Sequence, residues 1–280
     1  MTLEIDHSMD AGAPVGVFDS GVGGLTVVRE IMRQIPNEKI IYFGDTARVP
    51  YGSKSKETVT RFSRQIVHFL QTHHVKTIVV ACNTVSAYAL EELEKEIDIP
   101  IIGVVKPGAR VASEVTRNGK IGVIATPATI SSHIYNQYIE EINPKVTIYE
   151  KACPLFVPLV EEGLWIDPVT DEIARRYLTE LIDLDIDTLI LGCTHYPLIR
   201  STLGRIMGGK VTLVNPAYET AIQLRSLLQE KGLLNENPPK LGENQYQFYV
   251  SDMAEKFQVF ANSIIKYGIL SAKKVEIDKY

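Results

Sequence analysis

One short pattern occurs twice in this chain, and it constrains the fold more than any other feature. A run of mostly apolar residues ends in a cysteine, a small polar pair follows, and a helical pattern comes next. The first copy runs through residues 78–81 into Cys82, and the second runs through residues 189–192 into Cys193. The polar residues that follow the two cysteines are Asn83, Thr84, Thr194 and His195. Short apolar runs of this kind are typical of buried parallel strands, so the repetition indicates two related halves with thiols at equivalent positions.

Predicted strands alternate with predicted helices along nearly the whole chain. The strands are expected at residues 15–19, 40–43, 78–81, 101–104, 120–125, 146–149, 189–192, 211–214 and 245–250. Helices are expected at residues 25–35, 57–73, 108–116, 169–184, 196–203 and 253–267, with one more from Cys82 to about residue 97 and one opening at Thr126. This alternation predicts an α/β fold of βαβ units, in which parallel sheets are covered by helices on both faces.

A weak internal repeat also indicates two pseudo-symmetric halves. Residues 16–20 align with residues 122–126, so that Ser20 matches Thr126, and both segments precede their cysteine by a similar length of chain. In open α/β sheets, ligands bind beyond the carboxyl ends of the strands. Two such sheets that face each other would direct both cysteines into one cleft. The other residues expected to line this cleft are Ser20, Thr126, Asn83 and Thr194.

Charge and composition exclude several classes of protein. The 280 residues carry a formal net charge of −5, which argues against nucleic acid or an anionic membrane surface as the main partner. No apolar run approaches the roughly 18 residues of a membrane span. The N-terminal residues 1–13 contain acids and no apolar stretch, so we expect a disordered extension and not a signal peptide. Three cysteines without a secretion signal predict a reduced, cytoplasmic setting.

The two repeated cysteines have surroundings suited to acid–base chemistry. Each precedes a helix, and a helix N-terminus favours the thiolate over the thiol, whose ordinary pKa is about 8.5. His195 stands two residues after Cys193, and Asp19 ends a core strand as Cys82 does. Two thiols on opposite sides of a substrate carbon allow one to remove a proton while the other donates one to the opposite face, which inverts a stereocentre without redox change. Cys153, between an alanine and a proline, is expected to be buried and inert.

Other kinds of site fit these residues less well. The two cysteines do not form a CxxC motif, and no cluster of zinc ligands accompanies them. The glycine-rich turn at residues 21–24 lacks the third glycine of a dinucleotide-binding motif, because Thr26 occupies that position. Asp45 ends the second strand, where a ribose-binding acid would lie, so a nucleotide-binding protein is a minor alternative. Glu161 and Glu162 follow two prolines, which fits either a cleft wall or a plain helix face.

Four motifs give the chain a resemblance to a known family. They are residues 18–26 (FDSGVGGLT), 43–52 (FGDT followed by PYG), 81–84 (ACNT) and 191–197 (LGCTHYP). Together they resemble the signatures of the bacterial glutamate racemases, which belong to the cofactor-independent aspartate/glutamate racemase superfamily. The similarity extends from about residue 14 to past residue 251.

The resemblance implies two α/β domains with the active site in the cleft between them. The first domain would comprise residues 1–105 and 216–280, and the second residues 106–215. Cys82 and Cys193 would be the two acid–base groups, acting on D-glutamate and L-glutamate respectively. The residues implied to assist them are Asp19 at the first thiol and His195 and Glu161 at the second. The residues implied to bind the substrate are Asp19, Ser20, Pro50, Tyr51, Gly52, Asn83, Thr84, Thr126, Thr194 and His195.

The resemblance also implies a biological setting. It points to a cytoplasmic bacterial homodimer that uses no cofactor and no metal and supplies D-glutamate for peptidoglycan, and so for cell wall biogenesis and cell shape. No membrane and no direct nucleic-acid partner is expected. An aspartate racemase of the same superfamily is the alternative enzyme, because pocket depth decides between the two side chains. A catalytically inactive binding or regulatory protein on the same fold is the other alternative, and the presence of both cysteines argues against it.

Overall fold

A computed structural model describes residues 10–238, 244–265 and 271–280 of the chain. Within these ranges the strands are β1 Val15–Asp19, β2 Ile40–Gly44, β3 Thr77–Val80, β4 Ile101–Gly103, β5 Lys120–Ala125, β6 Thr147–Ala152, β7 Thr188–Gly192, β8 Thr212–Val214, β9 Tyr246–Val250 and β10 Ala272–Lys274. The α-helices are α1 Leu25–Gln34, α2 Lys56–Gln71, α3 Asn83–Tyr88, α4 Leu90–Glu96, α5 Val105–Val115, α6 Pro127–Ser131, α7 Ile134–Ile142, α8 Phe156–Glu161, α9 Pro168–Asp183, α10 Arg200–Met207, α11 Pro216–Glu230 and α12 Ala254–Ile264. Short 3-10 helices lie at Tyr51–Ser53, Tyr196–Ile199 and Ile277–Lys279.

The strands form two parallel sheets, as the alternation of strands and helices predicts. The first sheet has six strands in the order β10-β9-β2-β1-β3-β4, and the second has four in the order β6-β5-β7-β8. Four consecutive strands of the first sheet, β2-β1-β3-β4, therefore have the same order as the whole second sheet. This equivalence confirms the pseudo-symmetric fold class that the internal repeat predicts.

The register of the central strands places the repeated residues at equivalent positions. Phe18 of β1 pairs with Val80 of β3, so Ser20 lies level with Cys82 just beyond the sheet. Ala125 of β5 pairs with Gly192 of β7, which puts the next residues of those two strands level in the second sheet. Those next residues are Thr126 and Cys193. Because the strand pairings of the described residues are all parallel, each cysteine emerges at the carboxyl edge of its own sheet.

Helices cover both faces of each sheet and bury the apolar side chains that define their periodicity. On α1, Leu25, Val28 and Ile31 recur at a spacing of three and are fully buried against the first sheet. Leu224 of α11 and Phe257 of α12 pack into the same cluster. Burying a side chain of this size contributes roughly 1.5–3 kcal/mol to the free energy of folding, so the packing of these helices on the sheet stabilises the fold.

Several predicted helix boundaries are wrong, for local reasons. The helix expected from Cys82 to about residue 97 is two helices, α3 and α4, that meet at buried Ala89. The helix expected from residue 108 begins at Val105, because Pro107 lies in the first turn, where its missing N–H is not needed. The helix opening at Thr126 is interrupted at His133, whose φ of 53° is left-handed. The predicted residues 266–267 lie outside the described residues, as do residues 1–9 of the predicted disordered extension.

Two elements near the C-terminus are absent from the sequence prediction. Asn215 and Pro216 look like a strand end, yet the Asn215 side chain accepts from the N–H of Ala217 and caps α11, with Pro216 in the first turn. The three-residue strand β10 pairs at the sheet edge with β9. Among the described residues, no helix is both long and apolar enough to cross a membrane.

Candidate active site

A cavity of about 390 Å³ lies between the carboxyl edges of the two sheets. Both repeated cysteines line it, as the cleft prediction requires. The other predicted site residues that line it are Ser20, Pro50, Tyr51, Gly52, Asn83, Thr84, Thr126, Glu161, Thr194 and His195. Asp19 is fully buried beneath the cleft and does not line it.

Cys82 stands at the N-terminus of α3, where burial and a nearby carboxylate favour the protonated thiol. The thiol donates to Ser20 Oγ at 3.6 Å. Burial, and then the nearby carboxylate of Asp19, raise the pKa of Cys82 to about 12. Asp19 Oδ2 accepts from the backbone N–H groups of Gly21 at 3.1 Å and Gly24 at 3.0 Å. Burial also raises the pKa of Asp19, although the charge of His195 opposes this.

Cys193 lies beside a base that is itself held by a carboxylate. Its Sγ is 3.7 Å from His195 Nδ1, and His195 Nε2 is 3.0 Å from Glu161 Oε1. Burial lowers the pKa of His195, but its hydrogen bonds to Cys193 and Glu161 outweigh this and raise the pKa to about 10. Burial likewise raises the pKa of Glu161, but the hydrogen bond from His195 prevails and lowers it. The second thiol therefore faces a cation, whereas the first faces a hydroxyl and an anion.

Short polar side chains from both halves meet on the wall of the cavity. Thr84 Oγ1 lies 3.1 Å from Thr126 Oγ1, which joins α3 of the first half to the N-terminus of α6 in the second. Thr129 Oγ1 is 3.0 Å from that of Thr126. Tyr135 donates to Asn83 Oδ1 at 2.7 Å and fixes the orientation of the amide. These hydroxyl and amide groups supply hydrogen-bond donors suited to carboxylates.

The glycine-rich turn between β1 and α1 packs against Thr194 and His195, the two residues that follow Cys193. A Cβ on Gly23 would lie 2.3 Å from Thr194 Oγ1 and 2.5 Å from His195 Nδ1, so only glycine fits there. Thr26 Oγ1 donates to the carbonyl of Thr194 at 2.9 Å. The turn therefore supports the Cys193 side of the cleft instead of cradling a pyrophosphate.

Some residues in and around the site were not found from the sequence. Thr129 and Tyr135 lie within helices of the second half, and a single sequence gives no sign that they bond to the cavity-lining residues Thr126 and Asn83. The apolar wall of the cavity includes Val157 of α8, which was also missed.

Asp45 is fully buried and bonded to protein groups, so it does not reach the cavity as a ribose ligand would. Cys153 is fully buried, and burial raises its pKa, as expected for an inert thiol.

Comparison with known proteins gives one consistent family. The family described as Asp/Glu/hydantoin racemase matches residues 15–223. A glutamate racemase of Geobacter metallireducens is 48% identical over 267 residues, which cover 95% of this chain and 98% of that protein. A crystal structure of a glutamate racemase isoform from Bacillus anthracis is 43% identical with a TM-score of 0.90, covering 94% of this chain and 97% of that chain.

Two further solved structures extend the comparison. The glutamate racemase of Francisella tularensis, in complex with D-glutamate, is 40% identical with a TM-score of 0.89, covering 96% of this chain and all of that one (100%). An aspartate racemase of Picrophilus torridus is 17% identical with a TM-score of 0.54, covering 79% of this chain and 95% of that one. At that identity, the second similarity concerns the fold alone.

Proposed function

This chain belongs to the Asp/Glu/hydantoin racemase family and, within it, to the glutamate racemases, and from this we propose that it interconverts L- and D-glutamate. The reaction is a cofactor-independent, two-base proton transfer at Cα. One observation carries the proposal: Cys82 and Cys193 emerge from equivalent strands of two pseudo-symmetric sheets into one cavity. A racemase needs one acid–base group for each face of the stereocentre, and this arrangement provides two.

The family membership implies a role for each thiol in the L-to-D direction, and their unlike surroundings support these roles. The Cys193 thiolate, paired with the His195 imidazolium, removes the Cα proton of L-glutamate, so a C–H bond breaks and an S–H bond forms. The Cys82 thiol, whose pKa is about 12, then donates its proton to the opposite face. D-glutamate leaves, and Cys82 is left as the thiolate. The same enzyme form then removes the proton of D-glutamate in the reverse direction, with Asp19 assisting Cys82.

The His195–Glu161 pair supports this proton transfer from behind Cys193. Glu161 stabilises the imidazolium, and the imidazolium stabilises the thiolate at 3.7 Å. The carbanion-like state at Cα gains from a desolvated cleft rich in hydrogen-bond donors. The residues proposed to hold the substrate are Ser20, Pro50, Tyr51, Gly52, Asn83, Thr84, Thr126, Thr194 and His195, with Asp19 beneath them.

The wider setting is proposed from the same family membership. The product would feed peptidoglycan synthesis, and with it cell wall biogenesis and cell shape, in a bacterial cytoplasm, and the enzyme would work as a homodimer. The proposed domains are residues 1–105 with 216–280, and residues 106–215. The place of β9 and β10 in the first sheet supports the return of the C-terminal segment to the first domain.

Hydrogen exchange at Cα tests the proposal directly. The enzyme, with no added cofactor, is incubated in heavy water with L-glutamate, D-glutamate and L-aspartate, and exchange and optical rotation are followed. We expect glutamate to lose rotation, with deuterium entering mainly the inverted product. Exchange with aspartate and not glutamate would point to an aspartate racemase, and exchange with neither would support a binding or regulatory protein.

Single thiol variants test the two-base mechanism. Cys82→Ser and Cys193→Ser should each reduce racemisation at least about a thousandfold, because general acid–base groups contribute roughly 10²–10⁴ in rate. Circular dichroism should show the native fold in both, and Cys153→Ser is the matched control with racemisation near that of the wild type. Substantial racemisation in either active-site variant would exclude the mechanism.

A further inference from the structure

The carboxylate of Asp45 joins three parts of the chain at the end of β2. Asp45 is fully buried and does not line the cavity. Its Oδ2 accepts from the hydroxyl of Tyr51 and from Arg48 Nε, the latter at 2.7 Å. Its Oδ1 accepts from Ser251 Oγ at 2.7 Å. A buried carboxylate with several donors is held rigidly, because leaving any of them unpaired would be costly.

Ser251 brings the C-terminal segment into this network. It directly follows β9 and lies 206 positions from Asp45 in the sequence. Its Oγ accepts from the N–H of Ala47 at 2.8 Å while donating to Asp45. The neighbouring Asp252 N–H donates to Thr46 Oγ1 at 2.9 Å. The end of β9 is thus bonded to the start of the segment that leads into the cavity.

That segment, residues 47–53, forms one wall of the cleft and is here called the substrate loop. Pro50, Tyr51 and Gly52 line the cavity, and Tyr51 is 1% exposed. A Cβ on Gly52 would lie 2.8 Å from Cβ of Thr126 in the second half. Because the loop touches the opposite wall this closely, a small displacement of it changes the shape of the substrate site.

We propose that Ser251 is a positioning residue for the substrate loop, which it holds through Asp45 and Ala47 so that the loop binds glutamate in the correct place. This inference rests on the proposed glutamate racemisation and assigns to the C-terminal segment a role in substrate affinity. The Ser251 hydroxyl bonds to Ala47 and Asp45, and within the described residues it bonds to neither thiol nor His195, so it acts on binding and not on proton transfer.

Steady-state kinetics of Ser251→Ala test the inference. The change removes the donor to Asp45 Oδ1 and leaves the N–H of Ala47 without this acceptor. We expect KM for both enantiomers to rise about tenfold, roughly the effect of one hydrogen bond to a charged group, while kcat changes less than about twofold. The shape of the pH–rate profile should stay that of the wild type, because the acid–base groups are untouched.

A matched control and a second variant separate positioning from loss of folding. Ser63→Ala removes another buried serine hydroxyl, which donates to Val59 O at 2.8 Å within α2, and should leave KM unchanged. Tyr51→Phe removes the hydroxyl that reaches Asp45 from the loop side and should raise KM as Ser251→Ala does. Because both changes break the same connection, the double variant should raise KM by less than the product of the two single effects.

The outcomes distinguish this inference from the proposed function. A wild-type KM in Ser251→Ala, a loss confined to kcat, a shifted pH profile, or an equal rise of KM in Ser63→Ala would each overturn the positioning role in an enzyme that racemises glutamate. Absence of glutamate racemisation in the wild type would instead overturn the proposed function on which the inference rests.

Discussion

The two candidate acid–base thiols differ in their immediate neighbours although their backbone positions are equivalent. Both side chains are 6% exposed, so access does not distinguish them. Cys82 has a hydroxyl at 3.6 Å and the Asp19 carboxylate nearby, whereas Cys193 has the His195 imidazole at 3.7 Å. Because burial and the neighbouring carboxylate disfavour the thiolate and raise the pKa of Cys82 to about 12, we expect Cys82 to keep its proton in the free enzyme.

Alkylation of the free enzyme should reveal this difference. At neutral pH, iodoacetamide should modify Cys193 at least about tenfold faster than Cys82, since only the thiolate reacts. The rate at Cys82 should climb as the pH rises towards its pKa of about 12. Mass spectrometry of the peptides measures both rates, with fully buried Cys153 as the unreactive internal control. Faster modification of Cys82 at neutral pH would contradict the assignment.

Glu161→Gln should lower the pKa of His195 from about 10 towards its ordinary 6.5, because one of the two groups that raise it is lost. Because the pKa of His195 is higher in the folded than in the unfolded protein, protonation of His195 stabilises the folded state. This contribution to the free energy of unfolding is complete below pH 6.5 and is lost as the pH rises through about 10. The variant should therefore lose this contribution at lower pH than the wild type. Its kcat should fall about tenfold, the scale of one charged hydrogen bond.

Nuclear magnetic resonance titration of the imidazole, with denaturation measured across the same pH range, checks this prediction. Glu162→Gln is the matched control, because the neighbouring Glu162 is exposed and should leave His195 unchanged. An identical His195 titration in wild type and Glu161→Gln would show that the carboxylate does not hold the imidazolium.

At the scale of elements, the turn between β1 and α1 contributes several contacts between the two halves. Its backbone N–H groups hold Asp19, its Gly23 abuts His195, and Thr26 bonds to the Thr194 carbonyl. One short turn therefore contacts the surroundings of both thiols. Packing of this turn fixes the relative position of the two acid–base groups.

Gly23→Ala should abolish most activity while leaving the fold intact. The added methyl would lie 2.3 Å from Thr194 Oγ1 and 2.5 Å from His195 Nδ1, so the imidazole must move away from Cys193. A displacement of about 1 Å can cost roughly a hundredfold in rate, and we expect kcat/KM to fall by at least that factor. Gly209→Ala is the control, because no atom lies within 4 Å of its added methyl. Activity assays and circular dichroism measure both variants, and an active Gly23→Ala enzyme would refute the tight contact.

At the scale of the whole molecule, a buried ion pair joins distant segments at the edge of the first sheet opposite the cleft. Lys76 Nζ lies 2.6 Å from Glu38 Oε2, and both side chains are fully buried. The ammonium also donates to the carbonyls of Ala11 at 2.5 Å and Leu233 at 2.8 Å, and Glu38 Oε1 accepts from the N–H of Asn235 at 2.8 Å. The pair thus connects the N-terminal segment, the start of β2 and β3, and the chain after α11.

Lys76→Met should destabilise the protein by about 3–5 kcal/mol, because it leaves the Glu38 carboxylate buried without its charge partner. The double variant Lys76→Met with Glu38→Leu should recover much of that loss, since no unpaired charge remains. Chemical denaturation measures the free energies. Activity per folded molecule should not change, because the pair lies at the amino ends of β2 and β3, whereas the cavity lies beyond their carboxyl ends. Equal stability of the two variants would contradict this account.

The sequence by itself determined the α/β class, the two pseudo-symmetric sheets and the placement of Cys82 and Cys193 beside a common cleft. Those features depend on local apolar periodicity and on the rule that ligands bind at the carboxyl ends of parallel strands. The sequence also singled out Ser20, Thr126 and His195, because each lies within three residues of a predicted strand end.

Only the tertiary structure decided what surrounds each group. It placed Tyr135 on Asn83, 52 residues away, and Ser251 on Asp45, 206 residues away. It showed that Asn215 and Pro216, which look like a strand end in the sequence, begin α11. It also placed Gly23 in close contact with His195. These contacts join residues far apart along the chain, and a single sequence contains no information on which distant residues meet. Periodicity fixes which face of an element is buried, but packing of the two halves against each other fixes which side chains share a site.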